Sequence, residues 1–260
     1  MIIQNFEFVK VIILNFVLFL FLSTANGQSV NKINSEFSTK KNIFTDKHLF
    51  ILSGQSNMVG LNPNESFSPI LEKRFGKEKI IIVKDAKDGQ PIRRWYKNWK
   101  IRNFDTKDSI GNLYNRLIYM VKERIRNEKI KSITFIWMQG ERDAREELAG
   151  YYKESLYGLY NQLTNDLNHR EMNFIIARIS DYDLLNKYYK HWTKIRNIQV
   201  KVAKSNDKFD WIDTDDLNDG INRKGEEINN DLHYSVTGYK ILGERFAEKS
   251  IQMINSLNQY

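Results

Sequence analysis

The chain has no cysteine among its 260 residues. That excludes disulfide staples, a thiolate nucleophile and a lipidated lipoprotein cysteine, and it leaves the redox compartment open. Histidines are few, with four in all, and no two stand at metal-ligand spacing. Asp213, Asp215, Asp216 and Asp219 cluster ahead of Gly220, but they miss the one-three-five ligand spacing of a calcium loop. No metal or cofactor is expected. A phosphate-binding Gly-Lys-Ser loop is absent, as is an aromatic-basic RNA motif. The formal charge is +8, but Lys and Arg are scattered rather than gathered in a tract, so solvated faces account for most of them and nucleic acid is not an expected partner. One long apolar run occurs, Val11 to Leu22, and it is too short to span a bilayer comfortably.

That run follows Lys10 and precedes Ala25 and Gly27, small residues spaced as signal peptidase prefers. Residues 1–27 therefore read as a signal peptide, with export to the periplasm or the exterior and no stable membrane insertion after cleavage. Residues 28–46 are polar and read as a loose lead-in. Residues 47–260 form one domain.

Within that domain apolar runs alternate with amphipathic stripes. Candidate strands are His48–Leu52, Lys79–Lys84, Ile133–Met138, Phe174–Ile179 and Phe209–Ile212. Between and after them lie helical stripes. Leu113, Leu117, Met120, Val121 and Ile125 form one, with Ser109 as its cap. Tyr152, Leu156, Leu159, Leu163 and Leu167 form the next. Trp192, Ile195, Ile198 and Val202 follow, and Val236, Tyr239, Leu242, Phe246 and Ile254 close the chain. Alternation of this kind predicts an α/β fold, a five-stranded parallel sheet covered on both faces by helices. Right-handed crossovers then bring every strand's C-terminal end to one edge. Ser56, Gly89, Gln139 and His233 follow strands one, two, three and five, so all four are expected on that edge, where open α/β sheets place their ligands.

Three ordered blocks carry a resemblance. Gly54-Gln55-Ser56-Asn57-Met58, Trp137-Met138-Gln139-Gly140-Glu141-Arg142-Asp143-Ala144, and Asp231-Leu232-His233 with Gly238 five residues on resemble the sialate O-acetylesterase-like group. That group includes carbohydrate esterase family six and belongs to the SGNH hydrolase superfamily. The resemblance spans roughly residues 48–250 and implies a three-layer, flavodoxin-like sandwich and a serine esterase that removes O-acetyl groups from a carbohydrate. By this resemblance Ser56 is the nucleophile and His233 its base. The backbone N–H groups of Ser56 and Gly89 and the side-chain amide of Gln139 hold the oxyanion. Gln55, Arg94, Trp95 and Trp137 are candidate substrate contacts.

The acid that orients His233 stays open. The superfamily pattern places an aspartate three residues before the histidine, and here that position is Asn230. An asparagine can orient an imidazole but cannot balance its charge. Asp231 and Glu141 are equal candidates. A non-catalytic glycan-binding module on the same fold, and a lipid or thioester hydrolase of the same superfamily, are the alternative functions.

Overall fold

A computed structural model describes residues 46–100 and 110–256. The proposed signal peptide, nearly all of the lead-in and Ser109 lie outside the described residues. Five strands, β1 (Lys47–Gly54), β2 (Ile80–Ala86), β3 (Ile130–Met138), β4 (Asn173–Ala177) and β5 (Phe209–Ile212), form one sheet in the order β2-β1-β3-β4-β5. Every pairing in it is parallel. This is the flavodoxin-like order, with its switch point between β1 and β3. The fold class read from the sequence is the one observed.

The burial pattern of each strand follows its place in the sheet. Leu49 to Leu52 of β1 and all of β4 are buried, as continuous apolar runs covered on both faces require. Edge strand β2 alternates buried with half-buried positions. The helices are α1 (Ser56–Gly60), α2 (Phe67–Phe75), α3 (Asn112–Ile125), α4 (Glu141–Arg145), α5 (Ala149–Asp166), α6 (Trp192–Ala203) and α7 (Val236–Ser256). On one face α2 packs on α7, tied where Ser66 Oγ donates to Lys240 O at 2.7 Å. On the other α5 packs on α6, and Tyr114 Oη of α3 reaches Asp166 Oδ2 of α5 at 2.7 Å. The stripe along α3 is narrower than expected, because Met120 is exposed. A two-stranded antiparallel ribbon, β6 (Gly220–Ile221) with β7 (Glu227–Ile228), sits in the long connection from β5 to α7. It shapes the loop that carries His233.

Candidate active site

β1 ends in a constrained turn. Gly54 has φ +148°, and a Cβ there would stand 1.9 Å from Met138 O of the neighbouring strand. Only glycine fits so close to another backbone. The next residue, Gln55, donates its backbone N–H to the same Met138 O at 2.9 Å, and Ser53 Oγ donates to Asp85 O of β2 at 2.6 Å. The strand end is thus clamped on both sides, and Ser56 is delivered as the first residue of α1.

Ser56 opens onto a cleft of about 460 Å³. His233, Leu232, Asp88, Gly89 and the buried Gln55 and Glu141 line it. Arg142, Arg145 and Tyr189 complete the wall. Gly89 has φ +63°, the left-handed region that favours glycine, and a Cβ built there would meet nothing within 4 Å. Its backbone therefore borders open space beside the serine.

The loop bearing His233 is anchored by asparagines. Asn218 is buried and its amide donates to Asn230 Oδ1 at 3.1 Å and Asp231 O at 3.2 Å. Asn230 has φ +46°, a conformation asparagine tolerates better than most residues. Its own amide donates to Tyr182 O at 3.2 Å. The residue at the superfamily's aspartate position is therefore a loop anchor, with its side chain committed away from the imidazole. Asp231 Oδ1 instead lies 3.9 Å from His233 Nδ1 and accepts the His233 backbone N–H at 2.8 Å. That approach is an ion-pair distance rather than a hydrogen bond.

Glu141 behaves differently. It is 2% exposed; Oε1 accepts from Asn57 Nδ2 at 3.1 Å, while Oε2 has no hydrogen-bond partner. Burial pushes its pKa up to about 6, partly offset by its backbone bonds and by Asn57. The Asn57 amide also donates to Leu232 O at 3.1 Å, and Tyr239 Oη donates to Asn57 Oδ1 at 3.0 Å. Asn57 thus joins the carboxylate after β3 to the residue preceding His233. Sequence reasoning passed over it, although it sits inside the nucleophile block next to Ser56. A buried asparagine at that position must spend its amide on something, and that requirement was the available signal.

Several expected contacts lie elsewhere. Trp95 and Trp137 are fully buried and meet edge to face with centroids 5.2 Å apart, so neither can stack on a sugar. Arg94 does not border the cleft; its guanidinium binds Asn112 Oδ1 and Gln90 Oε1, each at 2.7 Å. Gln139 does not border it either. Its Nε2 donates to Asp143 Oδ2 at 2.6 Å, Gln90 O at 3.1 Å and Gln55 Oε1 at 3.3 Å. With its amide hydrogens so engaged, Gln139 braces Gln55 and leaves no donor for an oxyanion in this arrangement. Gln55 borders the cleft, but its Oε1 also accepts from Arg142 N at 3.1 Å, so it holds α4 in place.

Three of the four clustered aspartates pair with arginines, and the fourth, Asp219, accepts the Asn230 backbone N–H at 2.6 Å. Arg178 pairs with Asp213 and Asp215, Arg196 with Asp215, and Arg245 with Asp216. Among the described residues no group of three or more His, Cys, Asp or Glu is placed to hold a metal ion.

The family model for "Carbohydrate esterase, sialic acid-specific acetylesterase" matches residues 59–252. The chain belongs to that family. The match contains Glu141, Asp231 and His233 and begins just after Ser56. Family membership supports esterase action on carbohydrates. No curated protein matches the chain. A solved protein from Arabidopsis thaliana is similar at 19% identity and TM-score 0.60, over 80% of this chain and 99% of that one. A carbohydrate acetylesterase from Xanthomonas citri is similar at 16% identity and TM-score 0.55, over 76% of this chain and 54% of that one. A Corynascus thermopiles carbohydrate esterase family 2 enzyme with a carbohydrate-binding domain is similar at 11% identity and TM-score 0.52, over 81% of this chain and 67% of that one. At these identities the likeness is one of fold.

Proposed function

We propose that this carbohydrate esterase removes O-acetyl groups from a sugar through an acyl-serine intermediate, acting outside the cytoplasm. The observation that carries the reading is that Ser56 and His233, far apart in sequence, border one cleft together with Gly89 and Asp231's neighbour Leu232. His233 takes the Ser56 hydroxyl proton as Oγ attacks the acetyl carbon. The oxyanion so formed is held by the backbone N–H groups of Ser56 and Gly89. As the carbon–oxygen bond to the sugar breaks, His233 returns its proton to the sugar oxygen. Water then attacks the acetyl-serine with His233 again as base, acetate leaves, and the Ser56 hydroxyl is restored.

Asp231 is the acid assigned to His233. It is the carboxylate at 3.9 Å from Nδ1, and catalytic hydrogen bonds are often long before substrate binds. Glu141 is assigned to positioning, through Asn57, of the loop at Leu232. Arg142, Arg145 and Asp88 give the cleft charged walls, which suits a polar sugar ester and opposes a long acyl chain. The binding-module alternative rests on Asn230, which puts no carboxylate at the usual acid position; Asp231, 3.9 Å from His233 Nδ1, is what favours turnover over binding alone.

The test is acetate release from acetylated sugars, and cleavage of an aryl acetate series of rising acyl length, by wild type and Ser56→Ala. Equal rates in the two proteins discard the mechanism. A preference for long acyl chains in the wild type discards the sugar-acetate assignment.

A further inference from the structure

The opposite end of the same three strands holds a second cavity, of about 500 Å³. Its cations are Arg74 from the last turn of α2, Lys79 from the turn before β2, and Lys129 and Lys131 at the start of β3. Asp46, just before β1, is the acid bordering it. With β1 eight residues long, roughly 25 Å of strand separates this cavity from the Ser56 cleft at about 3.3 Å per residue.

The charges here do not cancel. Asp46 is spent on Lys129, with Oδ1 2.8 Å from Nζ. Arg74 lies 5.4 Å from the Phe75 ring and donates to a neutral acceptor, Asn255 Oδ1, at 3.0 Å. Lys79 and Lys131 form no ion pair among the described residues. Among the described residues three cations thus have no carboxylate at ion-pair distance, although Asp46 also acts on Lys131 at longer range; they come from three different elements, so they approach an occupant from different directions.

The floor is a built feature rather than open surface. His48 borders the cavity yet is only 6% exposed. Its ring is held by Ser132 Oγ, 2.7 Å from Nδ1, and by the Phe75 ring, with centroids 4.3 Å apart. Burial first, and then the charges of Lys131, Arg74 and Lys79, push its pKa down against a smaller upward pull from Asp46. Where Ser132 Oγ donates to Nδ1, the other ring nitrogen carries an N–H that an anion can accept from.

We propose that this cavity is a binding site for a phosphate or sulfate group, held by Lys79, Lys131 and Arg74 with the His48 imidazole at its base. A tetrahedral oxyanion suits donors that converge from several elements. The site is independent of the Ser56 chemistry. Its occupant is either the free ion or an ester of that ion on a sugar.

The test titrates the full chain with inorganic phosphate, inorganic sulfate and glucose 6-phosphate, against sodium chloride at matched ionic strength. The readouts are the NMR titration of His48 and the thermal midpoint. Saturable binding is expected, with the His48 pKa rising when the oxyanion is bound. Lys79→Gln and Lys131→Gln should each weaken binding roughly tenfold, about the worth of one charge-assisted contact. Aryl-acetate turnover should stay unchanged and so report that the variants fold. Tighter binding of glucose 6-phosphate than of phosphate identifies a sugar ester as the source, and equal binding identifies the free ion. A His48 shift reproduced by chloride alone, or full binding retained by the double Lys79→Gln/Lys131→Gln variant, overturns the proposal.

Discussion

At the C-terminal ends of β1, β2 and β3, burial governs ionisation. Glu141 is pushed up to about 6 and Asp143 to about 7, in both cases chiefly by desolvation. At the N-terminal ends of the same strands, charge adds to burial. The Lys129 bond leads in drawing Asp46 below its ordinary range, and His48 is pushed down by burial together with three cations. The strands are shared, so the contrast does not come from them. It comes from the connections. The loops after β1 and β3 bury carboxylates among amides, whereas the turns leading into β2 and β3 leave lysines around an open concavity. A parallel sheet has two unlike ends, because every strand points the same way, and each end acquires its own chemistry.

The sharpest way to separate the two ends is Ser56→Ala. Turnover of an acetyl ester should fall by about a thousand-fold or more, as loss of a nucleophile does elsewhere, while phosphate binding at the far end is unaffected. Loss of both would show that the ends are coupled. Next in size is the acid. Asp231→Asn should lower kcat by roughly a hundred-fold to ten-thousand-fold, and Glu141→Gln by less; the opposite ranking in steady-state kinetics moves the orienting role to Glu141.

The backbone at the Ser56 end gives the third contrast. Gly54→Ala forces a Cβ to 1.9 Å from Met138 O, and should cost roughly 3 kcal/mol or more, or prevent folding. Gly89→Ala adds its Cβ into open space, and should cost about 1 kcal/mol for its left-handed backbone. Urea denaturation of the two variants measures the difference.

A fourth prediction concerns pH. Because the folded-state pKa of Asp143 is raised to about 7 from 3.8, the folded protein binds this proton more tightly than the unfolded chain. The stability it contributes is present at low pH and is lost as pH rises from about 4 through 7. Asp143→Asn should therefore gain on the wild type over that interval, by on the order of 3 kcal/mol, in unfolding free energies measured at pH 4 and pH 7. A gap that stays constant would show that Asp143 ionises normally. Smallest is Arg145→Ala. It should raise KM for a charged sugar ester a few-fold with little change in kcat, since an exposed cation at the cleft wall contributes about 0.5–1 kcal/mol.

Much of this was legible in the residues. Runs such as Ile133–Met138 and stripes such as Leu156, Leu159 and Leu163 report burial averaged over a whole element, and elements are what they located. The strand limits moved by a few residues at most, with β3 beginning at Ile130 and β4 at Asn173. The helix α2 escaped notice, as did the β6–β7 ribbon. Two-residue strands are too short to carry a period, and Phe67–Phe75 holds a mixed pattern with a weak apolar face. Single side chains at strand ends were the harder problem. Trp137 closes a strand and reads equally well as a cleft wall or as core; its contact with Trp95 made it core. Asn230 read as a defect in the acid position until Asn218 and Tyr182 showed it holding the loop.

What the sequence determined alone was the order of strands and helices, and with it the edge on which Ser56, Gly89 and His233 would gather, because apolar periodicity and crossover handedness are local rules that need no coordinates. What only the tertiary structure decided was direction. Asp231 approaches the imidazole, Gln139 turns inward to Asp143, Asn57 bridges Glu141 to Leu232, and Lys79 and Lys131 meet beside His48. Each of these depends on atoms contributed by other strands and loops, and a side chain's hydrogen bonds are settled by whichever partners the folded chain brings within 3 Å or so.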